Sequence, residues 1–104
     1  MSGYGAVVQT IRHDYSSTNV TTGAWVELDA ALDAMSNYIE LFDSSGSVLE
    51  LGIGPSGSEV RAALIPPGGF NVMEKLRFDQ GQRLSIRAVD TNATSGQLII
   101  NLLR

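Results

Sequence analysis

From Asn37 to Leu103 the chain is a series of short apolar-alternating runs. They are cut by turn signals at Asp43-Ser44-Ser45-Gly46, Pro55-Ser56-Gly57, Pro66-Pro67-Gly68-Gly69, Asp79-Gln80-Gly81 and Asp90-Thr91-Asn92. A period of two puts alternate side chains on opposite faces of a strand. Turn signals every ~8–12 residues leave no room for long helices and mark an all-β sandwich or barrel. The fold expected is an antiparallel β-sandwich of about eight strands, of which the jelly roll is one form.

The runs divide as follows. Ala6 to Ile11 reads as a first strand, and His13 to Gly23 as a polar loop rich in Ser, Thr and Asn. Ala24 to Leu28 reads as a second strand, with Ala24, Val26 and Leu28 on one face and Trp25, Glu27 and Asp29 on the other. Ala30 to Met35, with Asp29 as a cap, has the spacing of one helical turn or a tight loop. Asn37 to Asp43 and Ser47 to Ile53 are predicted to form a hairpin, closed by a type I turn with Gly46 left-handed. Glu59 to Ile65 carries Val60, Ala62 and Leu64 on one side and stops at Pro66-Pro67, which cannot donate to a ladder. Phe70 to Phe78, Arg83 to Val89 and Gln97 to Leu103 supply three more strands. The chain of 104 residues reads as a single domain: residues 1–23 form an N-terminal strand and polar loop, a candidate arm, and residues 24–104 the sandwich body.

Little chemistry is laid over this frame. There is no cysteine, so disulfides and thiolate metal sites are excluded. His13 beside Asp14 is the one neighbouring His–carboxylate pair, but adjacent strand residues point to opposite faces and no nucleophile accompanies them. Asp43-Ser44-Ser45 lacks the further oxygen ligands and closing Glu of a calcium loop. The segment from Gly52 to Gly57 has no helix behind it to present amides to a phosphate. The residues thus predict no enzyme, no metal and no cofactor. Seven basic against eleven acidic residues, with no basic cluster, argue against a nucleic-acid partner. No apolar run approaches the ~18 residues of a membrane span, and the N-terminus lacks the pattern of a signal peptide.

Four residues stand out as interface candidates. Trp25 falls on the wetter face of its strand, where tryptophan anchors subunit contacts. The last strand is apolar on both faces, with Leu98, Ile100 and Leu102 opposed to Ile99 and Leu103. A strand with no wet face is covered by a loop or by another chain. Arg77, with Arg83 and Arg87, is expected in cross-strand ion pairs with Glu40, Glu50 and Glu74, or in a pair across subunits.

Several motifs recur together from Ala24 onward: Ala24-Trp25-Val26-Glu27-Leu28, Ile39-Glu40-Leu41-Phe42-Asp43-Ser44-Ser45-Gly46, and Leu49-Glu50-Leu51-Gly52-Ile53-Gly54. With them come Gly57-Ser58-Glu59, Ile65-Pro66-Pro67-Gly68-Gly69, Gly81 to Val89 and Gly96-Gln97-Leu98. In these the chain resembles small virion structural proteins of tailed bacteriophages, of the capsid decoration (cement) type. The resemblance implies a β-sandwich without enzymatic activity that binds the outer capsid surface, with the major capsid protein as partner and a homo-oligomer, a trimer, as the working form. Two alternatives remain open: a neck, tail or fibre component of the virion, and a carbohydrate-binding module using Trp25 and Tyr38 as stacking platforms.

Overall fold

The computed structural model describes residues 5–104. Eight strands run in order: β1 (Val7–Asp14), β2 (Val26–Asp29), β3 (Tyr38–Asp43), β4 (Leu49–Ile53), β5 (Val60–Ile65), β6 (Gly69–Met73), β7 (Leu84–Ala88) and β8 (Gln97–Leu103). They form two four-stranded antiparallel sheets, β1-β8-β3-β6 and β2-β7-β4-β5. This is the strand order of an eight-stranded jelly roll. The expected all-β sandwich is therefore the fold observed.

Alternation builds the core between the sheets. Ile11, Ile39, Leu41, Leu98, Ile100 and Leu102 come from the first sheet. Leu49, Leu51, Ile65, Leu84, Ile86 and Ala88 meet them from the second. One end is closed by Tyr15 and Val20, both fully buried, with Val20 bridged to Ala93. The other is closed by Leu32 and Phe78, the latter through a bridge to Ser36. The N-terminal stretch, expected as a strand and polar loop and a candidate arm, contributes β1 and the core side chains Ile11, Tyr15 and Val20, and its residues Met1 to Tyr4 lie outside the described residues.

The predicted hairpin of Asn37–Asp43 with Ser47–Ile53 does not form. β3 pairs with β6 and β8, whereas β4 pairs with β5 and β7, so the intervening turn carries the chain from one sheet to the other. The cause is a polar knot that holds the turn to distant segments. Asp43 is buried and accepts hydrogen bonds from Tyr15 Oη at 2.8 Å and Ser45 Oγ at 2.8 Å. Ser44 N donates to Gln97 O at 3.0 Å, and Val48 N to Asp90 Oδ1 at 2.9 Å. Gly46 does take the expected left-handed conformation, at φ 79°.

Three smaller differences follow the same logic. Residues 30–35 take the second of the two expected forms, a tight loop of bends and not a helical turn, because Leu32 exchanges backbone bonds with Gln82 and Gly81. The predicted Phe70–Phe78 strand ends at Met73, and Phe78 turns into the core. On β5 a register shift opposite Leu51/Gly52 separates Val60, in register with Ile53, from Leu64, in register with Glu50, so these residues, expected on one side, lie on opposite faces, while Ile65 is buried.

Candidate interaction surface

The two outer faces of the sandwich differ sharply. On the second sheet the outward residues satisfy one another. Glu50, on β4, is buried between two arginines, Arg61 Nε at 3.3 Å and Arg87 Nη2 at 3.4 Å. A carboxylate taken out of water on one face of a sheet is tolerable only with such partners. Trp25 lies across Gly52, where a side chain would collide with its ring, and the Arg87 guanidinium sits 4.3 Å from the ring centroid. Arg83, mostly buried, ties β7 to Glu27 at 2.9 Å and to Glu59 at 3.0 Å. These bonds, to Glu27 first, raise the Arg83 pKa, and hydrogen bonding holds the Glu59 carboxyl below its usual range. Apart from Leu64, exposed opposite Glu50 near the β5 edge, the face is closed by its own side chains.

The outer face of the first sheet is open. Its registers place Arg12, Ile99, Phe42 and Phe70 in one row across β1, β8, β3 and β6. Thr10, Asn101, Glu40 and Val72 form the next. Phe70 is 62% exposed, Phe42 41% and Val72 39%. A shallow dimple of about 70 Å³ opens among Phe42, Phe70, Ile99, Glu40 and Asn101. Large apolar side chains adjoining one another on a solvent face mark a contact surface more than a folding requirement. Among the described residues, five of the seven exposed large apolar side chains (Phe42, Val60, Leu64, Phe70, Val72) lie on β3, β5 and β6, toward one side of the sandwich.

The four interface candidates are dispersed. Ile99 lies in the open row, half-buried beside Phe42. Leu103 faces the same way but is buried within its own chain, in register with Val7 and Tyr38. Trp25 is half-buried on the opposite face, held by Arg87. Arg77 is exposed and pairs locally with Asp79 at 3.2 Å, not across strands. Phe42, Phe70 and Val72 were not singled out by the sequence, because apolar residues in a strand read as core until the face is known. Trp25 and Tyr38 stand on outer faces of different sheets, so no aromatic platform is assembled from them.

His13 Nε2 donates to Thr18 O at 2.8 Å, and its ring meets that of Tyr15 edge-on with centroids 5.3 Å apart. Tyr15 is raised well above the ordinary phenol range, first by burial and then by its bond to Asp43, so it stays a donor. An open cleft of about 620 Å³ lies at one end between the 54–58 and 81–83 segments, but Arg83 at its wall is already engaged by two carboxylates and Gly54 O. Among the described residues, no group of three or more His, Asp or Glu is placed to hold a metal.

No protein-family model matches the chain, and no curated protein matches it. Among solved structures, the chain is similar to FeII HppE in complex with substrate, at 13% identity and a TM-score of 0.43 over 89% of this chain and 43% of that one. It is similar also to hydroxypropylphosphonic acid epoxidase from S. wedmorenis, at 13% identity and a TM-score of 0.40 over 89% and 40%. The chain spans less than half the length of either. The expectation that it is no enzyme is corrected by these neighbours, which are structures of an enzyme, and that expectation is withdrawn. At this level of similarity the likeness assigns no reaction.

Proposed function

We propose that this chain is a virion structural protein of the capsid decoration type, which attaches to the outer surface of a coat shell and bridges coat subunits. The observation that carries the reading is the open apolar face of the first sheet, set against a second sheet whose outer face is closed by its own ion pairs. The resemblance of the chain from Ala24 onward supplies the partner, the major capsid protein.

The mechanics are simple. Phe70 and Phe42 expose most and about two fifths of their surface. Covering an aromatic or aliphatic side chain completely stabilises by about 1.5–3 kcal/mol, so a few such groups seated on a coat subunit provide useful adhesion without specific chemistry. Repetition over a shell turns weak single contacts into strong attachment. The test is co-sedimentation with empty shells assembled from the major capsid protein of the phage that carries this chain. Wild-type protein should pellet with the shells, and Phe42→Lys, folded to the same melting temperature, should not. Equal binding by both proteins, or none by either, would refute the reading.

A further inference from the structure

We infer that β6 is a pairing edge for a second copy of this chain, so that two sandwiches join through an antiparallel β6–β6′ contact into one eight-stranded sheet. The sandwich has four edge strands, and three are defended in ways that suppress such pairing. β1 has a register break between Val7 and Gln9, carries Arg12, and is tied to Asp29 by Gln9. β2 is only four residues long and broken between Glu27 and Asp29. β5 has a register break, carries Arg61 and ends at Pro66-Pro67. β6 has no such device: Gly69–Met73 contains no charge, no proline and no bulge. Among the described residues its backbone pairs with β3 alone.

The sequence of β6 is complementary to itself. An antiparallel pairing centred on Asn71 sets Phe70 against Val72′ and Val72 against Phe70′, all four on the outer face that already holds Phe42. Aromatic and β-branched side chains are favourable cross-strand partners. Gly69 then meets Met73′, so all five residues find a partner. Glu74 and Lys75, just beyond the strand, fall beside Gly68′ and Pro67′, and no like charges are brought together.

The exposed aromatic area of one sandwich is small for an interface with the shell. At about 150–250 Å² per aromatic side chain, the exposed fractions of Phe70 and Phe42 amount to about 150–250 Å² per copy. A stable interface needs about 800 Å² from each partner. Edge pairing joins two such patches into one stripe and presents it to two coat subunits at once. The pairing itself stands on the edge, and its use in bridging rests on the decoration reading.

Because the chain has no cysteine, Asn71→Cys gives a direct probe. Opposed Cα atoms in an antiparallel pair are ~4.5–5.5 Å apart, within reach of a disulfide. Asn71→Cys should oxidise to a covalent dimer at micromolar protein, at least tenfold faster than Val89→Cys, an exposed control elsewhere. Unmodified protein should show a concentration-dependent mass approaching twice 11.1 kDa in sedimentation, and Val72→Lys should stay monomeric with unchanged melting. Equal oxidation of the two cysteine variants, or a wild type that stays monomeric at every concentration, would overturn the inference. A mass of three chains, the trimer that the resemblance implies, would overturn it too. In each of these cases shell binding by wild type would leave the decoration reading standing. Loss of shell binding with a confirmed dimer would sink that reading and spare this one.

Discussion

Replacing Gly52 by Ala should destabilise the protein, against the usual direction for such a change. Gly52 lies in β4 without a positive φ, so alanine suits its backbone, and Gly→Ala at a compatible site normally stabilises by about 0.4–1 kcal/mol. Here a Cβ would stand 2.5 Å from Cζ3 and 2.7 Å from Cη2 of Trp25. Carbon pairs prefer about 3.5–4.0 Å, so the indole must retreat by about 1 Å. That motion disturbs the Arg87 guanidinium 4.3 Å from the ring centroid. Overpacking of this kind costs about 1–3 kcal/mol, of which the cation–π contact accounts for about 0.5–1. A loss of about 2 kcal/mol would lower the melting temperature of a domain this size by about 8–16 °C. Trp25 is the single tryptophan, so its fluorescence reports the displacement directly. In a Trp25→Ala background the same Gly52→Ala change should be neutral or stabilising. An equal loss in both backgrounds, or unchanged emission in Gly52→Ala, would show that the ring does not occupy this position.

Tyr15→Phe removes a buried hydrogen bond to the Asp43 carboxylate and should cost about 1.5–3 kcal/mol in urea denaturation. Leu103→Ala should cost about 2–5 kcal/mol, because the side chain is buried within its own chain and is not a waiting interface, whereas Ile99→Ala should cost clearly less. Asp90 accepts hydrogen bonds from the amides of Val48 at 2.9 Å and Thr91 at 2.7 Å, which hold its carboxyl below the usual range. Its contribution is therefore complete above the unfolded carboxylate value of about 3.9 and is lost as pH falls through the lower folded value. Asp90→Asn should be less stable at neutral pH and show a shallower acid limb in melting temperature against pH.

Strand positions and most faces were legible because glycine and proline punctuate them and the core alternates. Leu49, Leu51 and Ile53 share the inward face of β4, and Leu98, Ile100 and Leu102 that of β8, as alternation demands. Strand pairing was not legible after Asp43. A turn between sheets uses the same Asp-Ser-Ser-Gly as a turn within one, and what decides between them is Tyr15, 28 residues away. β5 misled because a bulge shifts its register, and no local signal marks it. The open surface was missed for a related reason. Nothing in the Phe70–Phe78 run marks which of its faces is buried, and β6 turns Asn71 and Met73 inward, since Leu41 and Ile39 opposite them belong to the core. The doubly apolar β8 was correctly noticed, but Leu103 is covered by its neighbours in the same sheet.

The most direct test is an image reconstruction of coat shells assembled without other virion proteins and then incubated with this chain. The account predicts added density on the outer surface at coat-subunit boundaries, with Phe42 and Phe70 of the first sheet against the coat and the Trp25–Arg87 face toward solvent. Bare shells, or density confined to a portal or tail vertex in complete particles, would contradict it.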